Sequence, residues 1–229
     1  MLTIDDTQLG FEAAWEGTLE TSGAAFTVRG KDKPQASIGQ PTYWALGTPA
    51  PPAPLGVQAA GSGSSRQYGL ARFPFSLRPG TGHRALRADF SVSLYPSGSG
   101  PRPVVYDAYP TTTTTAQEGE ITASLGPDFK FAGAEASLAK VEGTIKLKRA
   151  AAAITVYGLG ESDVSWAFQE RGDHLLAGSL VVYVVIALPP GITAARAVAR
   201  LSANINTPMG RLLGRLPAEA EAKVSWVLP

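Results

Sequence analysis

The stretch AGSLVVYVVIALPPG, residues 177–191, is the most hydrophobic in the chain. Whether it is a membrane span, a buried helix or a strand decides the class of the protein. From Leu175 to Leu188 it offers 14 mostly apolar residues, interrupted by Gly178 and Ser179. A helix needs roughly 20 such residues to cross the hydrocarbon core, so a helical span is excluded. Within LVVYVVIAL, five of the nine residues are β-branched and one is Tyr. Branching at Cβ costs rotamer freedom in a helix and packs well on a pleated surface. Pro189, Pro190 and Gly191 then stop the element. An unbroken apolar run of this length reads as a strand buried on both faces at the centre of a sheet.

The neighbouring segments carry the same message. In LRADFSVSL, Leu86, Ala88, Phe90, Val92 and Leu94 alternate with Arg87, Asp89, Ser91 and Ser93, a period of two with one dry and one wet face. In KVEGTIKLK, Val141, Ile145 and Leu147 alternate with lysines and Glu142. FEAAWEGTL, AFTVRG, PVVYDAY, TTTTTAQ, GEITASL, AAITVYG, VSWAF and AKVSWVL are further strand candidates. ARAVARLSANI has Arg196 and Arg200 at helical spacing, yet its alanines, Leu201 and Ile205 alternate; flanking turn residues favour a strand. GAEASLAKVEG, 133–143, is where a short helix could sit. The pattern predicts an all-β protein: an antiparallel β-sandwich or flattened barrel of roughly ten strands, with at most one or two short helices. The expected core is Phe90, Val92, Leu94, Val156, Trp166, Phe168, Val182, Val184, Ile186, Leu201, Val224 and Trp226.

Composition bounds the rest. A chain of 229 residues with 44% hydrophobic side chains can bury a core without staples. Residues 48–65, TPAPPAPLGVQAAGSGSS, read as a surface loop inside a single domain spanning 1–229; the other division is a small N-terminal unit, 1–47. The net charge of +1 gives no general attraction to nucleic acid or to anionic lipid. With no Cys there is no disulfide, thiolate nucleophile or thiolate metal site. The opening MLTIDDTQLGFEAAWEG lacks a basic region and an apolar run, so the expected location is cytoplasmic. The Ala-, Gly-, Pro- and Arg-rich composition with few Lys suggests a bacterial source.

Chemistry is bounded mainly by exclusion. The two histidines, His83 and His174, both lie in turn sequences and have no partner at metal-ligand spacing. GSGSSR, GTGHRA and GLGESD are incomplete as dinucleotide fingerprints, and turn glycines explain them. No cofactor or metal is expected, and no enzymatic activity. Around VSWAF stand Glu161, Asp163, Glu170 and Asp173, with Trp166 between them. That grouping could serve as a carbohydrate-binding platform or a carboxylate-dependent glycosidase; the plainer reading is a hairpin with Trp166 in the core. Arg196, Arg200, Arg211 and Arg215 read as a solvated face.

The last feature is the Thr-rich segment 111–148. Its period-two texture, carried by Thr111, Ile121, Leu125, Phe129, Phe131, Val141, Ile145 and Leu147, suits either ordinary edge strands or a β-hairpin that enters a membrane with one face to lipid. Low charge and available strand edges favour a non-catalytic protein that acts through protein–protein association, including self-association into a homo-oligomer, as an assembly, scaffold or accessory module. The alternative is a pore-forming protein that uses the Thr-rich segment, and only that alternative involves a membrane.

Overall fold

The structure is a computed structural model and describes residues 4–5, 11–22, 32–46, 67–110, 122–124, 130–132, 145–146, 153–170 and 176–229. In chain order the strands are β1 (Ile4–Asp5), β2 (Ala13–Thr18), β3 (Glu20–Ser22), β4 (Gln35–Gly39), β5 (Thr42–Leu46), β6 (Gln67–Arg78), β7 (Arg84–Pro96), β8 (Val104–Tyr109) and β9 (Thr122–Ser124). There follow β10 (Lys130–Ala132), β11 (Ile145–Lys146), β12 (Ala153–Tyr157), β13 (Asp163–Gln169), β14 (Gly178–Leu188), β15 (Ala195–Thr207), β16 (Gly210–Arg215), the helix α1 (Ala218–Lys223) and β17 (Ser225–Leu228).

Two antiparallel sheets form the body, as the alternation requires. One has the order β12-β13-β7-β15-β16-β3, with β17 also on β15; the other runs β2-β4-β6-β14-β8, with β5 also on β6. Two further short pairs form sheets of their own, β9 with β10 and β1 with β11, and β10 lies against β8. The all-β sandwich expected from the sequence is what folds. The hydrophobic stretch becomes β14, paired with β6 on one side and β8 on the other. Val182, Val184 and Ile186 point into the main core, while Tyr183, Val185 and Ala187 belong to a second apolar cluster on the opposite face. Double-sided burial explains why this strand shows no polar alternation.

The sheets meet through aromatic rings. Phe75 of β6 lies flat on Phe90 of β7, centroids 4.4 Å apart and planes within 2°. Phe168 meets Phe75 edge-on at 5.5 Å, and Trp166 packs near Phe90 at 6.3 Å. Of the expected core, ten residues are buried; Val156 and Trp226 are partly buried and pack against it. ARAVARLSANI is β15, with buried positions alternating along its length.

Some elements depart from the sequence expectation. β6 was not expected as a strand, because Gly69, Arg72 and Pro74 interrupt its pattern. The structure accommodates Pro74, which has no N–H to donate, by a break in the neighbouring ladder. β4 pairs as far as Phe75 and β5 resumes at Arg72, so residues 39–41 leave the ladder opposite Phe73 and Pro74. A Cβ on Gly39 would fall 2.6 Å from the Pro74 ring, so the bare backbone is what lets the two meet. β4, β5 and β16 were also unforeseen. AKVSWVL divides: Ala222 and Lys223 close α1, and β17 begins at Ser225. TTTTTAQ, AFTVRG, the loop 48–65 and the helix expected at 133–143 lie outside the described residues.

Two expectations follow. Phe90→Ala removes a ring stacked across both sheets, and urea unfolding should show a loss of about 3–5 kcal/mol. Burial raises the pKa of half-buried Tyr43, so the folded chain keeps that phenol proton to higher pH than the unfolded chain does. Its stabilising contribution is full below the unfolded value of about 10 and is lost as pH rises through the folded value. Tyr43→Phe should flatten that alkaline decline, read as denaturation midpoint against pH.

Candidate functional site

Each residue singled out from the sequence now has a place. Trp166 is fully buried at the middle of β13, so its ring offers no platform to a sugar. Its indole Nε1 donates a hydrogen bond of 3.0 Å to the Pro110 carbonyl. Asp163 begins β13 and accepts from Arg102 Nη2 at 3.2 Å, while Arg102 Nε donates to the Leu94 carbonyl at 2.9 Å. Glu170 follows the other end of the strand, where its Oε1 accepts from Arg84 Nε and Nη2 at 2.9 and 2.6 Å. At a rise of about 3.3 Å per residue the two carboxylates stand roughly 23 Å apart, far beyond the roughly 5–9.5 Å that a glycosidase pair needs. Glu161 is exposed in the turn between β12 and β13. Asp163 and Glu170 therefore do not form such a pair. Asp173 and His174 lie outside the described residues. His83 sits in the turn between β6 and β7, its Nδ1 3.2 Å from the Pro79 carbonyl oxygen. Among the described residues no group of three or more acids and histidines could hold a metal ion. Arg196, Arg200, Arg211 and Arg215 are exposed.

What the fold does bring together are the two junctions of the Thr-rich segment. The segment follows β8, the outermost strand of one sheet, and precedes β12, the outermost strand of the other. Both strands lie on the same side of the sandwich. Val105 N–H donates to the Glu161 carbonyl at 2.7 Å, and Gly160 N–H to the Val105 carbonyl at 2.8 Å. These bonds tie β8 to the turn that follows β12. The turn is tight: Gly158 has φ +89°, and a Cβ there would run into the Asp163 carbonyl.

Strand direction adds a second point. Val104 stands opposite Ala187 and Tyr109 opposite Tyr183, so β8 runs toward the end of the sandwich that carries Arg84 and Glu170. β12 starts at that end, with Ala153 opposite Gln169, and runs away from it. The chain thus leaves and returns toward one end.

Within the segment, β9 and β10 pair antiparallel with Ala123 opposite Phe131 and Ser124 opposite Lys130. β11 pairs parallel with β1, Ile4 opposite Ile145 and Asp5 opposite Lys146. Phe131 and Ile145 are therefore strand positions; Thr111, Ile121, Leu125, Phe129, Val141 and Leu147 lie outside the described residues. Sequence reading did not reveal the outer face of the β6-β14-β8 sheet as a site neighbour. There Tyr68, Leu70, Tyr183, Val185 and Ala187 are buried, with Trp44, Tyr106 and Tyr109 packed against them. Only the double-sided apolar pattern of β14 hinted at it.

No protein-family model matches the chain, and a search of curated proteins finds no match. Among solved structures, Clostridium perfringens delta-toxin is similar with a TM-score of 0.47 and 12% identity, over 86% of this chain and 83% of that one. A structure described as a pore forming protein gives a TM-score of 0.44 and 7% identity, over 93% and 88% of the two chains. The Clostridium perfringens NetB toxin in its membrane inserted form gives 0.29 and 8%, over 93% of each. At these values none of the likenesses establishes a shared activity. The expected cytoplasmic location is not supported: the similar structures are described as toxins and a pore forming protein, one of them in a membrane inserted form. Among the described residues no helix is long and apolar enough to cross a membrane, which says nothing of strands.

The Arg102–Asp163 pair is exposed on both sides, and such pairs contribute little in water. Asp163→Asn should shift the urea midpoint by less than about 1 kcal/mol in stability. A larger loss would mean that the pair does more than cap the strand.

Proposed function

We propose that the chain is a pore-forming protein that assembles from several copies and inserts a β-hairpin drawn from residues 111–148 into a lipid bilayer. The observation that carries this reading is the placement of the segment between the outermost strands of the two sheets, on one side and toward one end. A segment joined to the body in that way can extend without breaking a strand out of either sheet's interior.

Length and pattern support it. A membrane-crossing strand takes about 9–11 residues, and 111–148 holds two with residues to spare. The register sets the apolar positions Ala123 and Phe131 opposite each other, and the polar positions Ser124 and Lys130 likewise, which is the two-faced character a lipid–lumen hairpin requires. Self-association belongs to the same reading. A lone hairpin would leave both its edges unpaired in hydrocarbon, where each orphaned backbone group costs several kcal/mol, so strands from several copies must close a barrel. The partners are a second copy of this chain and a bilayer. No catalytic step or cofactor is part of the mechanism.

The test uses the absence of native Cys. Purified protein should release dye from phosphatidylcholine–phosphatidylglycerol vesicles. Cysteines placed at Asp5 and Lys146, which are opposite each other in the β1–β11 pair, should abolish release when oxidised and restore it when reduced. Intact vesicles together with a defined soluble oligomer would favour an assembly or scaffold protein instead.

A further inference from the structure

Pro110 is the last residue before the Thr-rich segment, and it directly follows Tyr109, the last residue of β8. Its carbonyl is held from the opposite sheet by the indole of Trp166 at 3.0 Å, in the buried interior. Trp166 is itself fixed: fully buried, paired in register with Phe90 of β7 and Val156 of β12, and close to the Phe90 ring. The start of β8 is secured by Val105 to the turn 158–162. Both ends of this outermost strand are therefore fastened to the facing sheet, the C-terminal end through the Trp166 indole.

We propose that Trp166 is a positioning residue that makes Pro110 the boundary between a fixed body and the chain that moves. This rests on the pore-forming reading. β8 stays on β14 in both the soluble and the inserted form, and extension begins after Pro110. A buried carbonyl deprived of its donor is strongly disfavoured, so the bond resists fraying of β8 when the following residues pull away. It sets which residue enters the barrel first.

Two measurements on the full chain test it. Trp166→Phe keeps a ring against Phe90 and deletes the donor. In hydrogen exchange it should raise the rates of the amides that bond β8 to β14 around Tyr109 on the order of tenfold. The reference is Phe168→Leu, a core change on the same strand that leaves the indole in place. If Trp166→Phe affects those amides no more than Phe168→Leu does, the role is merely structural and the proposal falls.

The second measurement is dye release from phosphatidylcholine–phosphatidylglycerol vesicles by Ala108→Cys/Val184→Cys, positions opposite each other in the β8–β14 pair. The oxidised pair should release as fully as the reduced one. Release lost on oxidation and regained on reduction would place the boundary before Pro110 and overturn the assignment. Vesicles left intact by the unmodified protein would overturn the pore-forming reading itself, and with it any boundary for a moving chain.

Discussion

The contact between Phe75 and Phe90 is the one on which the rest of this fold depends. Sheets pack about 10 Å apart, and two rings lying flat at 4.4 Å fill that gap near the middle of both sheets. Phe168 and Trp166 complete the column from the neighbouring strand. Because β13 is held there, its indole comes within reach of a carbonyl that belongs to the other sheet. The alternation along β7 and β15 then follows as a consequence: every second residue must face this layer, and the remainder must tolerate water.

The body was legible where periodicity alone sets the answer. β7 and β15 alternate cleanly, and β14 shows that a run lacking alternation is a strand covered on both sides. β6 was illegible for the opposite reason. Pro74 and Gly69 argue against a central strand, and what permits them is non-local: a ladder broken at residues 39–41, and Tyr43 lying where a Gly69 Cβ would be. No window of sequence contains both halves of that arrangement. α1 was missed because AEAEAK is too short to show a period, although Ala and Glu are good helix formers after Pro217. The placement of Trp166 in a core strand was readable from its neighbours. Its partner 56 residues away was not, and neither was the wide separation of the carboxylates, which only the length of β13 fixes.

The two sides of the sandwich are closed by different means. On one side the chain passes from β2 in one sheet to β3 in the other with only Leu19 between them. Leu19 is buried, and its N–H bonds the Pro34 carbonyl at 2.9 Å. That side is closed by the chain itself, with one buried residue at the corner. On the other side the outer strands β8 and β12 are linked through the whole of the Thr-rich segment, and among the described residues β8 is tied across by Val105 to the turn after β12 and by Pro110 to Trp166 of β13.

This asymmetry bears on how one chain could be both stable and able to insert. A strand that served the core and also crossed the bilayer would have to abandon the core, at a cost comparable to the whole stability of a domain, about 5–15 kcal/mol. The aromatic column draws instead on β6, β7 and β13, and the pairing of β14 is with β6 and β8, none of which lies within 111–148. The energetic weight of the sandwich is thus separated from the segment proposed to move. What the segment must give up is local, such as the short pair of β11 with β1, while what it needs in lipid, partners for both strand edges, only neighbouring copies can supply. Oligomerisation and insertion are on these grounds two parts of one requirement, set by the backbone's hydrogen bonds rather than by any particular side chain.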